Sequence, residues 1–123
     1  MSAVASESIR GVFTAAVISN RQVGQRFYKL KLEFSGAAAK AFAGFRPGQF
    51  IQLDLSSAAI PSCEKIPEDL ADAAKRQVLL RRPFSFTDVT IQRDKTVAEL
   101  LYRIVGPATL RMTTLSAGGS VSV

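Results

Sequence analysis

The stretch "LLRRPFSF", Leu79 to Phe86, sets two arginines, a proline, an aromatic ring and a small hydroxyl side by side. A planar guanidinium offers a fork of donors that matches a phosphate or diphosphate, and a strand holds such a fork rigidly at Arg82. Pro83 removes a backbone donor and marks an interruption of regular pairing, at an edge or a bulge. Phe84 adds a flat face and Ser85 a short hydroxyl. Together these residues suit a ligand with a diphosphate and a planar ring. They equally describe an edge strand whose arginines pair with surface acids such as Asp54 or Asp88.

A second stretch, "YRIVGPAT" (Tyr102–Thr109), reads as a strand that feeds a glycine turn and then a helix start. Such a turn presents free backbone N–H groups and the positive end of the helix dipole. Thr109 can cap the helix or contact a phosphate, and the turn can also exist with no ligand. Other candidates read as structure. Glu68, Asp69 and Asp72 fit a solvated helix face better than an acid–base pair. Cys63 has no histidine to activate it and reads as a loop thiol. "RPGQF" (Arg46–Phe50) reads as a turn.

The missing residues narrow the chemistry. With no histidine, the 123-residue chain builds neither a Ser-His-Asp site nor an imidazole-dependent zinc site. Its single cysteine forms no internal disulfide and holds no iron–sulfur cluster. No metal site is expected, and no residue is singled out as catalytic.

The elements that must hold these residues are mostly strands. "FYKLKLEF" (Phe27–Phe34) alternates, with Tyr28, Leu30, Leu32 and Phe34 on one face and Lys29, Lys31 and Glu33 on the other. Further strands are predicted over Gly11–Val23, with a bend at Asn20-Arg21, over Gln49–Leu55, and over Val78–Phe86. Val97–Gly106 reads as a strand apolar on both faces, and the tail after Gly118-Gly119 starts another. Pro67 with Glu68 and Asp69 behind it, and Lys75 and Arg76 at the end, predict a short helix in a surface excursion over Ser56–Arg76. A helical turn fits "SGAAAKAFAGF", and a short helix follows Gly106. The fold class expected is mainly β, a six-stranded antiparallel Greek-key barrel with one or two short helices.

At the level of the chain, a formal charge of +6 attracts a phosphorylated cofactor, an acidic partner or nucleic acid. The basic residues are scattered and match no nucleic-acid motif, so no nucleic acid is expected as partner. There is no run of about 18 apolar residues, so no membrane-crossing helix is expected. The opening residues lack the pattern of a secretory signal, and the cytoplasm is the expected location. Residues 1–8 read as a flexible tail and residues 9–123 as one domain.

"RPGQF", "LRRPFSF" and "YRIVGPAT", in this order, resemble the FAD-binding barrel of the ferredoxin–NADP reductase superfamily. Within it, the Arg-Pro-x-Ser form is most similar to the electron-transfer subunit of dihydroorotate dehydrogenase. The resemblance implies FAD as cofactor, with Arg82 on the diphosphate, Phe84 beside the flavin or ribityl chain, Ser85 near the flavin N5 edge, and Pro83 among the cofactor-binding residues. It implies that Gly106, Pro107, Ala108 and Thr109 receive the diphosphate, and that Tyr102, Ile104 and Val105 lie along the cofactor. Arg81 is expected to face the surface or a partner. In such proteins a nucleotide-binding domain follows the barrel, and the dihydroorotate subunit adds a cysteine-rich iron–sulfur segment. The chain accordingly reads as a barrel cut before an NAD-binding domain, not competent alone for NAD(P)H turnover. The complete protein would relay electrons between NAD(P)(H) and an iron–sulfur or flavin partner, the catalytic dehydrogenase subunit or another acceptor. Alternatives are the FAD domain of a ferredoxin or flavodoxin reductase, or of a hydrogenase- or sulfide-linked subunit. A non-redox basic binding barrel is the alternative from another class.

Overall fold

Alternation of apolar and polar residues dictates the sheet. The structure, a computed structural model, describes residues 13–123. The predicted tail and the start of the first strand at Gly11 lie outside the described residues. Six antiparallel strands, β1 (Thr14–Gly24), β2 (Phe27–Ser35), β3 (Phe50–Leu53), β4 (Arg82–Gln92), β5 (Lys95–Arg103) and β6 (Ser120–Ser122), run in the order β3-β4-β5-β2-β1-β6. The sheet curls until its edges touch, where the Asp54 amide donates to the Ser122 carbonyl at 2.9 Å. Strands β3, β4 and β5 lie side by side and β2 returns beside β5, the Greek-key order. The chain forms the six-stranded barrel its patterning predicts.

Strand β2 buries the face its alternation assigns. Leu30, Leu32 and Phe34 are fully buried, while Tyr28 is half-buried and stacks on Tyr102 of β5, centroids 5.5 Å apart. Three predicted strands are corrected. β5 is not apolar on both faces: Ala98, Leu100 and Tyr102 point inward, and Glu99, Leu101 and Arg103 point outward or lie at the rim. β4 does not begin at Val78. Buried Val78 anchors a loop in which Leu79 and Leu80 face solvent, and the strand runs on to Gln92 through a bulge at Thr87 that breaks period two. β1 has no bend at Asn20-Arg21; its irregularities fall at Ile18 and Val23 instead.

Helices close the two ends. α1 (Ala37–Phe42) buries Phe42 against Phe34, and the buried Thr96 hydroxyl donates to the Ala39 carbonyl at 2.8 Å. At the other end, α3 (Pro107–Met112) turns Ala108 and Met112 towards the barrel core. The predicted excursion helix is shorter than expected. A 3₁₀ turn at Glu68–Leu70 leads into the four-residue α2 (Ala71–Ala74), with Pro67 before the turn. The excursion is not purely a surface feature, since Leu70 packs with Ile104 and Leu110 beneath α3. Among the described residues no helix is long and apolar enough to cross a membrane.

Candidate functional site: a wedge between two parting strands

Strand β4 changes partner along its length. Arg82 to Ser85 pair with Leu53 to Phe50 of β3, whereas pairing with β5 starts at Phe86 opposite Leu100. Below Phe86 the two strands part, and the opening is a groove of about 250 Å³. It is lined by Arg82, Pro83 and Phe84 on one side and by Val105 to Thr109 on the other. Two stretches separated by most of β4 and β5 therefore meet at one end of the barrel.

The change of partner also sets which way backbone groups point. The Phe86 amide donates to the Gln49 carbonyl at 2.8 Å, and the Phe86 carbonyl accepts from the Gly48 amide at 2.9 Å. Because hydrogen-bonding direction alternates along a strand, the Ser85 amide and the Pro83 carbonyl point the other way, away from β3. Pro83 has no N–H to leave unpaired there. The Ser85 side chain itself is exposed and outside the groove lining.

The two arginines have different fates. Arg81 Nη2 donates to Ser122 Oγ at 3.3 Å, at the barrel seam. Asp54, at the same seam, accepts from the Ser56 hydroxyl at 2.6 Å and its amide at 3.0 Å. Those hydrogen bonds, with a smaller contribution from the Arg81 charge, hold the Asp54 carboxyl below the usual carboxylate range. Arg82 lies at the groove. The ion pairs among the described residues are Arg26–Asp69, Lys29–Glu99 and Lys95–Glu33, and none involves Arg82. The alternative in which Arg82 pairs with Asp54 or Asp88 is not what the structure contains.

The opposite wall is a built turn. Thr109 Oγ1 accepts from the Val105 amide at 2.9 Å and the Gly106 amide at 3.0 Å, and donates to the Gly106 carbonyl at 3.2 Å. Its hydroxyl is thus committed to the turn, the capping role of the two left open by sequence. The first helical bond runs from the Leu110 amide to the Gly106 carbonyl, so the Ala108 and Thr109 amides precede the helical ladder. Gly106 is extended, and a Cβ added to it would meet nothing within 4 Å. Neither backbone nor packing calls for glycine here, and Gly106 lines the groove.

Two of the residues expected along a cofactor are placed elsewhere. Tyr102 and Ile104 are buried at 4% and 6% exposure, Tyr102 on the inward face of β5 and Ile104, just beyond the strand, against Leu70 and Leu110, while Val105 faces out at 62%. Tyr102 donates to Asn20 Oδ1 at 2.9 Å, and burial pushes its hydroxyl well above the usual phenol range. In the sequence Asn20 reads only as part of a bend. An amide in mid-strand, where asparagine is depleted, was the available signal. Among the described residues no three acidic or cysteine side chains gather as metal ligands. No protein-family model matches the chain, and no curated protein matches it.

Proposed function

We propose that the chain is the FAD-binding domain of an electron-transfer flavoprotein of the ferredoxin–NADP reductase kind, most like the electron-transfer subunit of dihydroorotate dehydrogenase. The observation that carries this reading is the convergence of Arg82, Phe84 and the Gly106–Thr109 turn on one groove, with Arg82 in none of the ion pairs among the described residues. The donor set fits FAD: a guanidinium fork and two turn amides for a diphosphate, an aromatic face for a flat ring, and room above Gly106 for close approach. Pockets that enclose drug-sized ligands run to roughly 300–1,000 Å³, so this groove holds part of a dinucleotide and leaves the rest on the open outer face. The positive net charge favours an anionic ligand.

In this reading Arg82 binds and orients the diphosphate, Phe84 fixes the plane of what lies beside it, and the Ser85 amide is presented to the ring edge. FAD supplies the redox chemistry, exchanging electrons with NAD(P)(H) and with an iron–sulfur or flavin partner in a cytoplasmic assembly. The chain contributes orientation and charge.

Titration of the purified chain with FAD, followed by flavin fluorescence, tests the proposal alongside Arg82→Ala. Loss of a charged diphosphate clamp costs about 1.5–3 kcal/mol, roughly tenfold to over a hundredfold in affinity. A parent that binds no FAD, or a variant that binds as well as the parent, overturns the reading. A salt-sensitive gel shift with nucleic acid and no flavin would instead favour the basic binding barrel.

A further inference from the structure

The bulge at Ile18 has a consequence for the groove. Val17 pairs with Leu32 and Ser19 with Lys31, so the extra residue between them reverses the facing of Ser19 to Gln22. Without it Ser19 would point inward; with it Asn20 does, opposite fully buried Leu30. The bulge thus delivers an amide to the barrel interior. Asn20 Nδ2 donates to the Met112 carbonyl at 2.7 Å and the Leu115 carbonyl at 2.9 Å, while its Oδ1 accepts from the Tyr102 hydroxyl. Both amide hydrogens and the oxygen are used, so the side chain has one orientation.

These bonds join three elements that pairing alone does not join. Met112 ends α3, whose first turn forms one wall of the groove; Tyr102 lies on β5, which leads into that turn; Asn20 lies on β1, which β2 separates from β5 in the sheet. We infer that Asn20 and Tyr102 are positioning residues for the groove: they fix α3 against β5 and so set how far the Gly106–Thr109 turn stands from Arg82 and Phe84. Neither lines the groove, and both act through α3. The stacking of Tyr102 on Tyr28 holds the ring while its hydroxyl, kept protonated by burial, serves as donor. The effect expected on FAD rests on the function proposed above; the effect on α3 does not.

The test uses the whole chain with Tyr102→Phe, which removes one hydroxyl, and Asn20→Leu, which keeps the volume and removes the amide. Thr96→Val is the control, since it deletes a buried hydrogen bond at the α1 end. Amide hydrogen exchange is read at Ala108 to Leu115, and FAD affinity by titration. Both network variants should speed exchange across α3 and weaken FAD by roughly two- to tenfold per lost bond, with Asn20→Leu the greater. Thr96→Val should lower overall stability and move neither readout selectively. Unchanged α3 exchange in both variants overturns the inference, as does faster exchange with unaltered FAD affinity, or an equal effect from Thr96→Val. If the parent binds no FAD, the functional reading fails, and the exchange data alone decide whether the network holds the turn.

Discussion

Adjacent residues of one type do different work here because chain direction, not chemistry, separates them. Arg81 and Arg82 are both strong anion ligands in principle, yet one donates to Ser122 at the seam and the other lines the groove. Gly106 makes the sharper residue-scale test. Its φ of −172° is open to any residue and its Cβ position is empty, so the fold has no need of glycine. Gly106→Ala should leave stability unchanged or raise it by about 0.4–1 kcal/mol through the unfolded chain. If the groove takes a diphosphate against that Cα, the same change should weaken FAD by about tenfold, or ~1.4 kcal/mol. Urea melts and FAD titration of one variant read both signs; equal FAD affinity would remove Gly106 from the site.

At the scale of elements, the Ser56–Arg76 excursion is tied down rather than loose. Arg26 sits at φ 67° in the β1–β2 turn, a left-handed backbone uncommon for a residue with a side chain, and its guanidinium meets Asp69 through both carboxylate oxygens. The hydrogen bonds from Arg26 hold the Asp69 carboxyl below its ordinary range. A lowered folded-state value means the pair stabilises the fold above the unfolded carboxylate value of about 3.9 and loses that effect as pH falls through the lowered one. The stability difference between the parent and Asp69→Asn should therefore be full near neutral pH and shrink on acidification below about pH 4. Asp69 is exposed and Arg26 only half-buried, so added salt should reduce it as well. Urea midpoints across that pH range check this; a difference that does not change with pH would mean the tether acts through packing alone. Beneath it, Leu70 with Ile104 and Leu110 makes the excursion a support for α3.

For the whole molecule, stability and folding rate both follow from long-range pairing. β6 joins β1 from the far end of the chain, with Thr14 opposite Ser122, and the barrel closes through one bridge at Asp54. Such topologies fold in milliseconds to seconds, because distant segments must meet before contacts reward them. Stopped-flow refolding should fall in that range, and microsecond folding would contradict it. Phe34, fully buried and stacked on Phe42 at 4.5 Å, ties the sheet to the α1 plug. Phe34→Ala should cost about 3–5 kcal/mol, read as a lower urea midpoint at constant slope.

What was legible in the sequence was local. The alternation of Phe27–Phe34 assigns β2 and its buried face because side-chain direction in a strand depends only on parity. The Arg-Pro-Phe-Ser and Gly-Pro-Ala-Thr stretches announce a rigid guanidinium and a strand-to-helix turn because each needs only neighbouring residues. Parity fails wherever a bulge intervenes, and bulges at Ile18 and Thr87 hid the facing of Asn20 and the second half of β4. Tyr102 and Ile104 sit in a stretch that suits either face; pairing with Tyr28 of β2 turns Tyr102 inward, and Leu70 and Leu110 bury Ile104 just beyond the strand. The parting of β4 from β5, which opens the groove, belongs to neither strand's sequence. It arises because Arg82–Ser85 pair with β3 instead, and a strand's choice of partner is decided by the free energy of the closed sheet as a whole.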